Sequence, residues 1–223
     1  MITPVEPQTF VRGRLPFPNK RGFHGLACNS ESRLLFCCDA SVKQNIAVYS
    51  TFDGKMLLQI NCEGAPTSIT SKFAPNRCDF HLQSSILAVS DHKNSRLHLF
   101  QIDTKKSNKG LTISSSRWVK NEIIKGSSNG DVRYPLGCHF DAVGNLWLAD
   151  SGNSRLQLFS VVVDQTNVSV KSLSTLETRN KGWTMCAITL TDIDQEGEVK
   201  PFVLCALANG VDSLREIICF TSE

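Results

Sequence analysis

The sequence predicts an all-β repeat fold, built from four-stranded antiparallel sheets that are arranged radially as blades. A ten-residue motif occurs twice, at 91–100 and 150–159, with the same Asp, Asn, Ser, Arg, two Leu and Phe. Each copy follows a run of alternating apolar residues, and helical periodicity is almost absent from the chain. The motif therefore indicates a strand, a turn and a strand. One such hairpin cannot bury its own apolar face, whereas a stack of hairpins can.

Four units follow from the aromatic residue that ends each copy of the motif. They lie near residues 24–61, 64–125, 134–177 and 182–220. Alternation and turn signals divide each unit into about four strands. In the third unit we expect strands at 136–140, 146–149, 155–161 and 167–176, and in the second an outer strand at 118–124. The inner strands are apolar and the outer strands are polar at alternate positions, as a radial blade requires.

The two ends of the chain predict how the array closes. The last unit ends after its third strand, at Phe220, whereas the segment 8–15 precedes the first unit and has no evident partner there. Unpaired sheet edges are a liability for a folded protein. We therefore expect 8–15 to supply the missing strand of the last blade, so that 1–223 forms one domain closed by strands from both termini.

Composition narrows the class of protein. Hydrophobic residues make up 41% of the chain and charged residues 20%, which is typical of a globular domain, and the net charge of +3 does not by itself indicate a nucleic-acid partner. The N-terminus lacks a signal-peptide pattern, and no apolar run is long enough for a membrane helix. The nine cysteines include no Cys-x-x-Cys pair, which favours reduced thiols over disulfides or zinc. We expect a cytoplasmic protein that has no membrane partner and no cofactor.

The third unit resembles the NHL repeat. Residues 135–159 contain its Pro-x-Gly, an Asp followed by Gly-Asn, an apolar strand that ends in Asp, and then Asn-x-Arg before another apolar strand. The second unit matches this pattern over 86–100, and the other units match mainly in strand pattern. The resemblance implies a β-propeller that binds proteins or, in the tripartite-motif relatives, RNA. NHL propellers usually have six blades, so a four-bladed ring and an arc of a larger ring both remain open.

Six polar residues recur in the two best copies of the motif, and we interpret them as structural. A catalytic set is needed once per molecule, whereas this set is repeated. We expect the Asp to accept backbone N–H bonds, the Asn to adopt a left-handed turn conformation and the Arg to pair with a carboxylate between blades. The residues are Asp91, Asn94, Arg96, Asp150, Asn153 and Arg155.

The segments between blades carry the candidate binding residues. In a propeller these linkers lie on the same face as the turns between second and third strands. Here they combine cations with aromatic rings, which suits an anionic partner. The predicted partner-binding residues are Lys20, Arg21, Lys125, Arg133, Tyr134, Arg179, Lys181 and Trp183. Lys43 and Lys93 would add charge from the turns, whereas Glu63 and Asp131 would reduce it, and inward packing of Tyr134 or Trp183 is the alternative.

Three functions are compatible with these observations. The first is a non-enzymatic binding module that recognises a protein or peptide on the linker face. The second is single-stranded RNA binding by the same cations and rings. The third is a metal-dependent lactonase or lyase, in which His24 and His139 would face a central channel, as in lyase relatives of the repeat. No nucleophile elbow, phosphate loop or carboxylate pair is present, so we predict no catalytic residue and no metal ligand.

Overall fold

The computed structural model describes residues 23–29, 32–39, 45–61, 73–107, 110–119, 126–141, 143–164, 167–177, 183–193, 199–208 and 214–221. The described strands form four antiparallel sheets, here called blades 1 to 4, and each sheet follows the order of the chain. Blade 1 contains β1 (Phe23–Asn29), β2 (Leu34–Asp39), β3 (Asn45–Ser50) and β4 (Met56–Ile60). Blade 2 contains β5 (Pro75–His81), β6 (Ile86–Asp91), β7 (Arg96–Ser107) and β8 (Gly110–Val119).

Blades 3 and 4 continue the pattern. Blade 3 contains β9 (Pro135–Phe140), β10 (Leu146–Asp150), β11 (Arg155–Asp164) and β12 (Asn167–Glu177), with one 3-10 turn at Ser151–Asn153. Blade 4 contains β13 (Trp183–Ile193), β14 (Val199–Ala208) and β15 (Leu214–Thr221), described by their backbone. Its described part has three strands, and the segment 8–15, expected to add a fourth, lies outside the described residues.

The first strand of each blade is the innermost. β1 packs beside β5, β5 beside β9, and β9 beside β13, so that successive blades surround an axis. This arrangement confirms the predicted fold class, a β-propeller of antiparallel blades. No comparable contact joins β1 to β13 among the described strands. Closure of the ring and a single domain over 1–223 therefore stay predictions.

Apolar side chains fill the spaces between neighbouring blades. The Phe36 ring of blade 1 lies 4.9 Å from the Phe80 ring of blade 2, measured between centroids. Every residue of β6 is buried, because its alternate side chains pack toward opposite neighbours. Leu87 belongs to the core shared with blade 1, and Ile86 to the core shared with blade 3. Complete burial of such a side chain contributes about 1.5–3 kcal/mol, so these interfaces hold the blades together.

The predicted position of one strand was wrong. The outer strand of blade 2 is Gly110–Val119, not 118–124. The preceding strand, β7, continues to Ser107, which pairs with Gly110 across a short hairpin connection. The register of a hairpin is set by its turn. The early turn therefore brings the outer strand back along β7 before residue 120.

Candidate functional site

The linker that enters blade 3 lies against turns of two blades. The backbone N–H of Gly152, in the β10–β11 turn, donates to the Arg133 carbonyl at 2.8 Å. The backbone N–H of Tyr134 donates to the Ser95 hydroxyl, in the β6–β7 turn, at 3.1 Å. We call residues 126–134 with the turns 92–95 and 151–154 the linker face. Linker and turns therefore meet on one face of the propeller, as its geometry requires.

The carboxylate of Asp150 is the centre of this arrangement. It is fully buried and accepts hydrogen bonds from the Arg133 backbone N–H at 2.6 Å and from the Arg155 Nε at 2.7 Å. The side-chain amides of Asn153 and Gln157 donate to it at 2.8 and 2.9 Å. A buried charge is stable only when it is paired and hydrogen-bonded. Asp150 meets both conditions and fixes the backbone of the linker.

Arg155 attaches the rest of the linker. Its Nη1 donates to the Ser127 carbonyl at 3.0 Å, and its Nη2 donates to the carbonyls of Ser128 and Asp131 at 2.7 and 3.0 Å. The expected carboxylate pairing between blades was wrong, because Asp150 and Arg155 are register partners within one sheet. Outside that sheet, the Arg155 guanidinium bonds the backbone of the linker.

The left-handed turn residue is also different from the prediction. Ser95 and Ser154 have φ values of 51° and 52°, whereas the adjacent Asn residues do not have positive φ. The side-chain amides of Asn94 and Asn153 instead donate to the motif carboxylates, at 2.7 and 2.8 Å. Because the Asn is held by that bond, the next residue completes the turn.

The same motif is bonded differently in blade 2. Asp91 accepts hydrogen bonds from Asn94 and from the His98 Nε2, the latter at 3.2 Å, and His98 stands seven residues after Asp91 as Gln157 does after Asp150. Arg96 is the register partner of Asp91 and is half-buried. Within the described part of the chain, its guanidinium has no hydrogen bond or ion pair. Among the described residues, the two copies therefore share the turn but differ in which side chains bond the carboxylate.

Tyr134 lies at the surface of the linker face. Its φ is 47° and 37% of its surface is exposed. The Tyr134 ring lies 5.4 Å from the His92 ring and 5.7 Å from the Arg133 Cζ, measured to its centroid. A Cβ on Gly152 would lie 2.9 Å from the Tyr134 Cδ2, so glycine there allows the ring to approach. Arg133 is exposed beside it.

The other predicted partner-binding residues cannot be placed against this cluster. Trp183 is described by its backbone alone, at the start of β13 and paired with Ala208. The remaining five lie outside the described residues: Lys20, Arg21, Lys125, Arg179 and Lys181. Of the predicted set, the structure brings Arg133 and Tyr134 together.

The histidines suggested for a channel metal lie on different strands. His139 on β9 approaches the Asp79 carboxylate of β5, with 2.8 Å between Nδ1 and Oδ2, and the same oxygen accepts the Phe140 N–H at 2.7 Å. His24 is exposed on β1. No three His, Cys, Asp or Glu side chains form a metal-binding group in the described ranges. The Asp79 bridge between inner strands escaped sequence reasoning, because its partner is distant along the chain.

Comparisons with known proteins concern the fold. No protein-family model matches the sequence, and no curated protein matches it. Membership of the NHL family therefore stays a prediction from the motif. A solved structure of a nidogen/laminin complex is similar at 14% identity and a TM-score of 0.48, covering 85% of this chain and 65% of that chain. Hydrazine synthase of Kuenenia stuttgartiensis is similar at 10% identity and a TM-score of 0.48, covering 90% of this chain and 49% of that one.

A third similar structure is virginiamycin B lyase of Staphylococcus aureus. Identity is 8% and the TM-score 0.47, with 91% of this chain and 71% of that chain covered. This chain spans less than two thirds of the first two proteins. In the described residues, no helix is long and apolar enough to cross a membrane.

Proposed function

We propose that the protein is a non-enzymatic binding module that recognises a protein or peptide on its linker face. One observation carries the proposal: Tyr134 presents an exposed aromatic ring while its backbone is left-handed, with φ at 47°. A bulky residue in that conformation is uncommon, and such strain costs about 1–3 kcal/mol. It persists only where the surrounding structure holds it, and functional sites are enriched in such residues.

The surrounding bonds hold Tyr134 and Arg133 before any partner arrives. The Tyr134 N–H is bonded to Ser95 of blade 2, and the Arg133 N–H and carbonyl are bonded to Asp150 and Gly152 of blade 3. A rigid ring on a backbone that is already held loses little conformational entropy on binding. Tyr and Arg are also the residues most often found at the energetic centre of protein interfaces. The arrangement therefore favours a preorganised protein contact.

The number of exposed rings distinguishes this proposal from RNA binding. In the described part of the linker face, Tyr134 is the one large aromatic or aliphatic residue with more than a third of its surface exposed. Single-stranded nucleic acids are held by several rings, on which successive bases stack. Protein interfaces, in contrast, are often centred on one Tyr in a polar surround. We therefore favour a protein or peptide over RNA.

A matched pair of variants tests the proposal. Phe52 is 56% exposed and stacks with Arg33, at 5.6 Å from Cζ to ring centroid, in the turns at the opposite ends of the strands. Tyr134→Ala and Phe52→Ala thus each remove an exposed ring beside an Arg. The immobilised protein is incubated with cell extract, and bound proteins are identified by mass spectrometry.

We expect specific proteins to bind the wild type and Phe52→Ala and to be lost from Tyr134→Ala. Truncation of a central Tyr typically costs about 2 kcal/mol, or roughly 30-fold in affinity. Identical binding by both variants, or bound material that ribonuclease removes, would contradict the proposal. Thermal unfolding of both variants checks that the fold is retained.

A further inference from the structure

One pair of residues in the linker combines an exposed asparagine with a following glycine. Asn129 is exposed and precedes Gly130. The backbone N–H of Asp131 donates to the Ser128 carbonyl at 3.0 Å, so residues 128–131 form a β-turn with the pair at its centre. Gly130 has a φ of 90°, which glycine adopts without strain. Because glycine has no Cβ, its nitrogen can approach the side-chain amide of the preceding asparagine.

The chemistry open to this pair is deamidation. The Gly130 nitrogen forms a bond to the Asn129 Cγ, and the side-chain nitrogen leaves as ammonia with the proton of the Gly130 N–H. The product is a succinimide ring. Water then opens the ring at either carbonyl, which gives aspartate or isoaspartate. The sequence of steps consumes water, releases ammonia and requires no enzyme, metal or oxidant.

In the folded protein, the attacking nitrogen is already bonded. The Gly130 N–H donates to the Gln157 Oε1 at 3.0 Å. The Gln157 side chain is fully buried, and its Nε2 donates to the Asp131 carbonyl at 2.6 Å and to the Asp150 carboxylate at 2.9 Å. Both of these groups are acceptors, so the orientation of the Gln157 amide is fixed. The Gly130 nitrogen is therefore held by a buried, rigid acceptor, while the Asn129 side chain is exposed to solvent.

We propose that Asn129 is a deamidation site whose reactivity is controlled by the bond between Gly130 and Gln157. The reaction is slow while the linker is bonded to blade 3. When the linker opens, the Gly130 nitrogen is released and the pair reacts as it does in an unfolded chain. Local opening of a surface segment costs less free energy than global unfolding, so the reaction proceeds in the native state through such openings.

The modification would also weaken the attachment of the linker. Isoaspartate adds a methylene group to the main chain within the turn 128–131. The Ser128 and Asp131 carbonyls of this turn accept bonds from the Arg155 Nη2 at 2.7 and 3.0 Å. A longer main chain cannot keep both carbonyls at these distances unless the turn is distorted. Deamidation therefore makes a transient opening of the linker permanent.

The test measures deamidation by peptide mapping with mass spectrometry, after incubation at mildly alkaline pH with and without urea. A second Asn-Gly pair, at 209–210, lies outside the described residues and provides the rate of an unprotected pair in urea. The test variant is Gln157→Met. The matched control is His98→Met, because His98 stands at the equivalent position in blade 2 and bonds Asp91. Thermal unfolding checks the fold of both variants.

We expect Asn129 and Asn209 to react at equal rates in urea, and Asn129 to react at least about tenfold more slowly in folded wild type, because only the open fraction reacts. Folded Gln157→Met should react about fivefold faster at Asn129 than folded wild type, since one hydrogen bond is lost, whereas His98→Met should react at the wild-type rate. Equal rates at Asn129 in folded and unfolded wild type, or wild-type protection in folded Gln157→Met, would overturn the proposal.

Hydrogen exchange decides the matter if Gln157→Met does not fold. Exchange of the Gly130 amide and deamidation of Asn129 require the same opening, so folding should slow both reactions in the wild type by the same factor. A Gly130 amide that exchanges freely, or two factors that differ, would show that the bond to Gln157 does not control the reaction.

Discussion

Replacement of Arg155 by methionine should destabilise the protein far more than the same replacement of Arg96. Methionine keeps much of the aliphatic volume and removes the guanidinium. At Arg155 this removes the Asp150 ion pair, with 2.7 Å between Nε and Oδ2, and three bonds to linker carbonyls. At Arg96 no described bond is removed. The two positions are equivalent in the repeat, so each is the control for the other.

The magnitude follows from burial. Asp150 is fully buried, and removing one partner of a buried ion pair costs about 3–5 kcal/mol. The three carbonyl bonds belong to the same network, so their contributions do not add independently. We therefore expect Arg155→Met to lower the free energy of unfolding by about 3–5 kcal/mol. Arg96→Met should lower it by less than about 1 kcal/mol, because no ion pair or hydrogen bond of this half-buried guanidinium is described that the replacement would remove.

Urea unfolding followed by circular dichroism measures both values, and the comparison requires that the slope m is unchanged. Amide hydrogen exchange adds a local measurement. The Gly130 N–H donates to the Gln157 side chain, and the Tyr134 N–H to Ser95, so both amides should lose protection in Arg155→Met. Equal destabilisation by the two replacements, or a loss below about 1 kcal/mol at Arg155, would refute the reasoning.

Three further predictions concern packing, thiol reactivity and pH. Gly152→Ala should lower the free energy of unfolding in urea by about 1–3 kcal/mol, because the new Cβ would lie 2.7 Å from the Arg133 carbonyl oxygen. The same variant should capture less partner protein. Unchanged stability would contradict the close approach of the turn and the linker. Brief treatment of folded protein with N-ethylmaleimide should modify exposed Cys28 but not Cys37, since burial raises the pKa of the Cys37 thiol to about 12. Peptide mapping that finds Cys37 modified before Cys28 would contradict this prediction. Burial lowers the pKa of His81 below its ordinary value of 6.5, although the carboxylates of Asp141 and Asp79 oppose this shift. The unfolded chain therefore binds more protons than the folded protein. The free energy of unfolding should thus decrease as the pH falls through about 6.5. The decrease in urea stability between about pH 7.5 and pH 5.5 should be smaller in His81→Gln, and an equal decrease would exclude His81 as its source.

The strands of blade 3 show how far local pattern can predict structure. Expected strands at 136–140, 146–149, 155–161 and 167–176 correspond to β9 to β12, with starts and ends within one residue except that β11 continues to Asp164. Alternation of apolar residues and the turn residues between them are local properties, so a single sequence contains them. The outer strand of blade 2 was misplaced because its position depends on where the preceding hairpin turns.

The candidate site, too, was predictable from the sequence only in part. The motif residues were interpreted as structural because they are repeated, and Asp91 and Asp150 accept equivalent side-chain bonds from Asn94 and Asn153. Their bonding partners were not predictable. In blade 3 the carboxylate accepts bonds from both Arg155 and Gln157, whereas in blade 2 it accepts one from His98, seven positions after the Asp. Equal motifs therefore have unequal electrostatics.

The amino-acid sequence alone determined the all-β class, the repeat and the four-stranded blade. Apolar residues at alternate positions lie on one face of a strand, so the local sequence specifies which face is buried. Only the tertiary structure decided that Arg155 is bonded to the backbone of the linker and that the Tyr134 ring is exposed. Those outcomes depend on which backbone groups from another blade come within hydrogen-bond distance. Such proximity is a property of the packed array, and it is not contained in any one segment.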